Sequence, residues 1–249
     1  ADFLMQGINL QPLWKYLDIK PDLKQPALWE AYGKLNTAVL RLSDGCPFNC
    51  TYCSVPKVYR QFGARPPERS LAELQLLVKR GVKNIAFYDD ALVFEAEKVL
   101  MPFLEEALKQ DILASVSLDA SRGSRKVNLH SPNGLNARFI TKDLAELMVQ
   151  AGFKTFYLGL ESVSSQWQQR TGSKVSSDEL ARAVKYLTAA GTEPTSITAY
   201  QILGHPHTDV AELEASMHFA NSLSIRGMQT VEVIEEVKIS LAAQKSCHT

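Results

Sequence analysis

What this sequence has little of narrows its function before any motif is read. It carries no excess of charge: 27 Lys and Arg stand against 27 Asp and Glu, so there is no electrostatic case for wrapping nucleic acid or adhering to an anionic membrane. It has no apolar run approaching the ~20 residues that span a bilayer and no stretch that reads as a secretory leader. No Gly-x-Gly-x-x-Gly follows a strand, so the glycine-rich nucleotide loop of a conventional methyltransferase is missing. Cysteine is scarce, with four in 249 residues. That is too few and too unevenly placed for a disulfide framework, and it suits a reducing compartment, the cytoplasm. There is no internal repeat and no low-complexity segment. The length allows one large α/β core or two small ones.

Three of the four cysteines fall in one stretch, CPFNCTYC, as Cys46, Cys50 and Cys53. Thiolates are soft ligands suited to zinc, copper(I) or iron–sulfur clusters. A structural zinc site takes four protein ligands, usually in two pairs. Here Cys247 lies far along the chain, and the nearest downstream histidine is His130. Iron–sulfur clusters also normally take four cysteines, so three around a four-iron cube leave one iron open to another ligand. Zinc knuckles and disulfide loops crowd cysteines as closely, and the spacing by itself leaves those readings standing.

In chain order, residues 1–36 read as a lead-in segment. Leu13, Trp14 and Leu17 have helical spacing, and Pro21 and Pro26 break the chain beyond them. Residues 37–44 (TAVLRLSD) suit a buried strand running straight into Gly45, which sets the cysteine loop at that strand's C-terminal mouth. The basic stretch 57–70 holds Lys57, Arg60, Arg65 and Arg69; it reads as a solvated face, the functional alternative being that some neutralise an anionic substrate or clamp the loop over the site. Helices and strands then alternate. Ser70 and Glu73 have capping-box spacing for a helix closed by Gly81. Further strands are expected at 84–90, at 126–135 with a terminal turn, and at 154–162, 195–204 and 228–237. Helices are expected at 95–110, from 141 to Gly152, from 176 to Gly191, and at 210–223. Residues 111–125 fit no element and read as an insertion. Strands alternating with helices of this length imply a parallel sheet with right-handed crossovers, whose ligands bind at the C-terminal strand ends. Six units are too few for the closed eight-fold barrel.

Four strand ends carry polar residues. Asp89 and Asp90 project in different directions from extended chain, so at least one faces the strand-end mouth, unless the pair serves as a helix N-cap. Glu161 ends an apolar strand, where a carboxylate has no packing role and is a good acceptor from vicinal hydroxyls. Asn133-Gly134 is first of all a turn signal. His205 and His207 lack a third ligand and read as surface or hydrogen-bonded residues.

Together these features resemble the radical S-adenosylmethionine (SAM) superfamily. The resemblance rests on C-x3-C-x-aromatic-C with Tyr52 before the last cysteine, then DD, NG, GLES and G-x-P at successive strand ends, over roughly residues 37–235. It implies an α/β fold, an open six-stranded (β/α)6 partial TIM barrel, with a core domain at 37–235 between the lead-in 1–36 and a tail at 236–249. It implies a [4Fe-4S] cluster on Cys46, Cys50 and Cys53, with SAM on the open iron. Reductive cleavage then yields a 5′-deoxyadenosyl radical that takes a hydrogen atom from substrate. Tyr52, Asp89, Asp90, Asn133 and Glu161 are implied as cofactor contacts: Glu161 for the ribose, the aspartate pair where other members place Gly-Gly-Glu for the SAM amino group. One aspartate is expected to face the cofactor and the other to cap the next helix. Arg138 is a lesser candidate. The pattern is that of the cobalamin-associated branch, yet residues 1–36 cannot form its cobalamin-binding domain, so cobalamin use stays open. The implied partners are a small-molecule or peptide substrate and an electron donor such as flavodoxin or ferredoxin, without membrane or nucleic acid. Methyl transfer, methylthiolation and rearrangement or cyclisation stay open as the reaction. A non-catalytic binding module stabilised by zinc or an iron–sulfur cluster is the alternative.

Overall fold

The computed structural model describes residues 10–20, 27–59, 61–115, 125–203 and 209–231. Its centre is a six-stranded sheet of β1 (Thr37–Leu40), β2 (Asn84–Phe87), β3 (Asn128–Asn136), β4 (Phe153–Glu161), β5 (Ile197–Leu203) and β6 (Arg226–Val231). Each strand lies beside its neighbour in sequence, and every pairing is parallel. Among the described residues β1 and β6 do not pair, so the sheet is open. Five helices provide the crossovers: α1 (Pro67–Lys79), α2 (Leu100–Lys109), α3 (Lys142–Ala151), α4 (Ser177–Ala189) and α5 (Val210–Ser222).

One face of the sheet is sealed by these helices. Leu40, Ile85, Phe87, Leu129, Phe156, Leu158 and Ala199 meet Leu74 and Leu77 of α1, Phe103 and Leu104 of α2, Leu144 and Met148 of α3, and Leu180 and Leu187 of α4. Phe87 anchors this layer, stacked on Phe153 at 5.5 Å and edge-on to Phe103 at 6.1 Å. The alternate residues belong to the other face, which is wetter: Val39 and Tyr88 are 39% and 47% exposed. A sheet covered on one side leaves the other side and its C-terminal rim for a ligand.

Several boundaries differ from the sequence reading. The expected strand 37–44 stops at Leu40, and Ser43–Asp44 turns away to pair antiparallel with Gly63–Ala64. Ser70 and Glu73 form no capping box. The helix begins one turn earlier at Pro67, because Pro-Pro at 66–67 supplies a preset first turn. Ser70 is therefore buried inside α1, and Glu73 accepts the indole N–H of Trp29 at 2.8 Å. The helix expected from 95 begins at Leu100, after a run of turns with Glu95 at φ +48°. No helix directly follows Asp89-Asp90, so neither aspartate caps one. Asn133-Gly134 is no turn: β3 runs through it with a register shift between Ser131 and Leu135. The sixth strand begins at Arg226, two residues before the expected start. Part of the insertion is a short ladder of Ala114–Ser115 with Arg125–Lys126. The lead-in helix is only Gln11–Tyr16, with no buried residue.

Other helix ends agree with the sequence. Gly152 and Gly191 lie in left-handed backbone just past α3 and α4, and Ser176 with Glu179 forms a complete capping box on α4. Ser176→Ala should lose about 1 kcal/mol of stability, read as a lower urea midpoint with an unchanged slope. A midpoint that does not move would mean this cap is energetically idle.

Candidate active site

The cysteine loop is held from behind. Gly45 has φ +78°, and a Cβ there would stand 2.6 Å from the Gln61 carbonyl oxygen and 2.9 Å from Tyr59 Cβ, so only glycine fits the turn into Cys46. Beneath the loop Phe48 meets Phe94 and Phe139, and Phe94 also packs on Phe62 at 5.0 Å. From the far side Gly172, at φ +110°, lets the chain after a short helix, Ser165–Arg170, come close: a Cβ there would be 3.6 Å from Cys50 Cα. The backbone N–H of Cys53 donates to the Cys50 carbonyl at 3.0 Å. Cys46, Cys50 and Cys53 are all free thiols, Cys50 buried and the other two half-buried. Burial pushes the Cys46 and Cys50 thiols up, while the nearby Lys174 ammonium works the other way.

Glu161 closes β4 in left-handed backbone, φ +63°, and is only 8% exposed. Its Oε1 accepts the Lys174 ammonium at 3.0 Å and the Tyr52 hydroxyl at 3.0 Å. Its Oε2 is buried without a hydrogen-bond partner among the described residues. Tyr52 stacks on Trp167 at 5.7 Å, and burial beside Glu161 pushes its hydroxyl pKa up, so it stays a donor. Burial opposes the charge on Lys174, but Glu161 together with Cys50 and Cys46 outweighs it and the ammonium is held. Gly159 makes the space, since a Cβ there would stand 2.9 Å from Lys174 Nζ and 3.1 Å from Glu161 Oε1. Arg138 is a strut beneath this group rather than a cavity residue, bound to Glu179 at 2.8 Å and to the Ser173 carbonyl at 2.7 Å. Asn136 adds a bond to the Lys174 carbonyl at 3.1 Å.

The two aspartates part company. Asp89 is 2% exposed, and its Oδ1 accepts the backbone N–H groups of Leu42 (2.9 Å) and Ser43 (2.6 Å) and the Ser43 hydroxyl (2.6 Å). It therefore splices the end of β2 to the chain just before the cysteine loop. Asp90 instead lines a cavity of about 480 Å³ together with Tyr52, Cys53, Asn133, Glu161 and Lys174. Asn133 donates to the Asp89 carbonyl at 3.1 Å, and Tyr200 donates to the Pro132 carbonyl at 2.9 Å. Of the residues expected from sequence, Tyr52, Cys53, Asp90, Asn133 and Glu161 thus meet at one cavity, and Cys46, Cys50 and Asp89 are not on its wall. Lys174, Tyr200 and Trp167 were not foreseen, and Gly159 entered only as the first residue of GLES. His205, His207, Arg60 and Cys247 lie outside the described residues.

The donor set fits a cluster with a ligand beside it. Among the described residues, no three His, Cys, Asp or Glu side chains close on a point where one ion would sit. A cube asks for something else, three thiolates that each meet a different iron. Soft sulfur on one loop, a countercharge from Lys174 and an unused buried acceptor at Glu161 Oε2 supply the chemistry of that pair.

Burial pushes the Asp89 carboxyl up to about 6 from 3.8, against the pull of the Ser43 hydroxyl and the two backbone donors. A carboxyl that holds its proton more tightly when folded makes stability fall as pH rises from about 4 to about 6, and level off above. Asp89→Asn keeps the acceptor and loses the titration. Urea unfolding of the metal-free chain from pH 4 to 8 should show wild type losing roughly 2–3 kcal/mol relative to the variant across that window. Parallel pH profiles would show that Asp89 titrates normally.

Comparison with known proteins completes the picture. The chain is 29% identical over 228 residues to an uncharacterized methyltransferase of Pyrococcus horikoshii, covering 89% of this chain and 43% of that protein. Its fold is like that of the radical SAM methyltransferase TsrM from Kitasatospora setae, solved with tryptophan substrate and a SAM analog. The TM-score there is 0.66 at 14% identity, over 83% of this chain and 39% of that one. It is also like that of OxsB, a cobalamin-dependent SAM radical enzyme solved with aqua-cobalamin and SAM, with TM-score 0.60 at 18% identity, over 80% and 28%. At such identities the structural likeness speaks for the fold, the open (β/α)6 partial barrel. The chain spans less than half the length of each of these proteins. The family model of the Radical SAM superfamily, whose members work with a [4Fe-4S] cluster and SAM, matches residues 40–220, and the chain belongs to that superfamily.

Proposed function

We propose that this chain is the core of a radical SAM enzyme, with Cys46, Cys50 and Cys53 holding a [4Fe-4S] cluster and Tyr52, Asp90, Asn133 and Glu161 forming the SAM site. The observation that carries this reading is the meeting of residues from the cysteine loop, from just beyond β2, from within β3 and from the end of β4 on one cavity wall. The core is assigned to residues 37–235, with 1–36 as a lead-in and 236–249 as a tail. When bound, the cluster and SAM supply reductive cleavage of the sulfonium and hydrogen abstraction from substrate by the 5′-deoxyadenosyl radical.

The protein's own contribution is binding and orientation. Lys174 and Tyr52 both occupy Glu161 Oε1, so Oε2 is left to accept from ribose hydroxyls. Arg41 and the Gly45 N–H both occupy Asp90 Oδ2, leaving Oδ1 for a cationic group of the cofactor. Asp89, buried under the loop, serves the site through the backbone it holds. The Tyr52–Trp167 stack keeps an aromatic wall beside Cys53. The similar proteins named above include two methyltransferases, and we assign radical methyl transfer to a small-molecule or peptide substrate as the reaction. Cobalamin and an electron donor such as flavodoxin or ferredoxin would be its accessories. No helix among the described residues is long and apolar enough to cross a membrane, and the cysteine usage supports a cytoplasmic site of action.

Anaerobic reconstitution tests the cluster: iron, sulfide and 5′-deoxyadenosine should all be lost with Ala at Cys46, Cys50 or Cys53 and be kept with Cys247→Ala. Wild-type protein that takes up one zinc and no iron would end this reading. For the ribose, Glu161→Ala removes an acceptor of charge-assisted hydrogen bonds worth ~1.5–3 kcal/mol. SAM affinity should fall on the order of ten- to a hundredfold with iron content retained. Unchanged affinity in the folded variant would take Glu161 out of the site.

A further inference from the structure

Asp90 reaches the cavity wall only as the last member of a row of charges. Its Oδ2 accepts Arg41 Nη2 at 3.1 Å and the Gly45 N–H at 3.2 Å. Arg41 lies one residue beyond β1, and its Nη1 donates to the Tyr59 hydroxyl at 3.1 Å and stands 3.2 Å from Asp44 Oδ1. The guanidinium also sits over the Tyr59 ring, 5.5 Å from its centroid. Asp44 is gripped in turn by Arg65, through Nε to Oδ2 at 3.0 Å and Nη2 to Oδ1 at 2.9 Å. Arg65, Asp44, Arg41 and Asp90 therefore run in alternating sign from the segment behind the cysteine loop to the cavity.

Two physical points say what such a row is for. These pairs are part-exposed, with 24% of the Arg41 side chain and 20% of the Asp90 side chain open to solvent, and part-exposed pairs add little global stability. Their geometry is specific, however. A planar guanidinium reaches Asp44, Tyr59 and Asp90 at once, which the single ammonium of lysine does not. Asp90 also shares its Oδ2 with the N–H of Gly45, the residue before Cys46. The orientation of the carboxylate and the course of the cysteine loop are thus set by one contact.

Resting on the reading that Asp90 faces SAM, we infer that Arg41 is a positioning residue for the cofactor. It touches no cofactor itself. It locks Asp90 and the Gly45 turn into one geometry, so the carboxylate and the thiolate loop address the same ligand in register. Nothing in the sequence marks Arg41 out, since the strand around it reads as plain apolar core.

The test is a double-mutant cycle on cluster-loaded, unreduced protein, with SAM as the probe in equilibrium dialysis and iron content measured for every variant. Arg41→Met should weaken SAM binding about tenfold and Arg41→Lys about threefold, each with iron retained. In an Asp90→Asn background, Arg41→Met should change the Kd less than about twofold, because the group it positions has already lost its charge. A merely structural role would leave the Kd of cluster-loaded Arg41→Met unchanged, or cause the same loss in both backgrounds; either result overturns the inference. Should Arg41→Met fail to retain iron, Arg41→Lys decides by the same comparison, and an unchanged Kd in that variant overturns it. Wild-type protein that loads a cluster and binds no SAM overturns the proposed SAM site itself, which separates that failure from this one.

Discussion

The buried carboxylate of Glu161 is the group around which the C-terminal half of the site is organised. An ionised carboxylate taken out of water is costly unless it is paired and hydrogen-bonded. Lys174 provides the pair, and its own position has to be built. Gly159 leaves room for the ammonium, while Arg138 and Asn136 hold the carbonyls of Ser173 and Lys174. The left-handed turn at Glu161 carries strain that the next residues fix in place: Ser162 donates to Glu212, and the Val163 N–H donates to Ser216, both on α5. Two crossover helices thus serve one side chain, α4 through Glu179 and Arg138, α5 through the loop beyond the strand.

The N-terminal half solves the same problem by other means. Asp89 receives only neutral donors, from Leu42 and Ser43, and its remaining oxygen has no partner among the described residues. Dipoles offset desolvation less completely than a full countercharge does, which is why its carboxyl titrates high. Asp90, one residue on, gets a full charge from Arg41 and stays at the rim. The two members of one dipeptide are therefore specialised by their donors: one joins strand ends under the loop, the other lines the cavity.

Much of this was legible because it is periodic or punctuated. The sheet order comes from alternating elements joined by helical crossovers, and Gly152, Gly191 and the Ser176 capping box mark helix ends by local chemistry. The failures have physical causes too. Ser70 and Glu73 match the capping pattern, but Pro67 offers an earlier and better first turn, and tertiary contacts with Trp29 claim Glu73. Asn133-Gly134 carries turn residues inside a strand, where the register with β4 shifts and a Cβ at Gly134 would stand 3.3 Å from Tyr200 Cδ2. Lys174 is far from the cysteines in sequence and stands in a loop of ordinary polar composition. Its role depends on Gly159 and on an approach of Gly172 to Cys50 that no local pattern encodes. Arg41 is invisible for the same reason: its partners Asp44, Tyr59 and Asp90 lie on other segments of the chain or beyond its own strand end.

The cysteine loop differs in kind from a metal-folded knuckle. In zinc fingers the metal supplies the folding free energy, because little else holds the ligands together. Here Gly45 is packed against Tyr59 and Gln61, Phe48 sits in a cluster with Phe94 and Phe139, and Tyr52 is stacked on Trp167. Each of these contacts belongs to the protein alone and fixes one part of CPFNCTYC. Little ordering of the loop is then left for a bound metal to supply. The same rigidity constrains what else the loop can do. Burial raises Cys46 and Cys50 as thiols, so folding alone does not favour their thiolates. The Lys174 charge nearby works against that rise, so the cation that pairs with Glu161 also favours thiolates at Cys46 and Cys50.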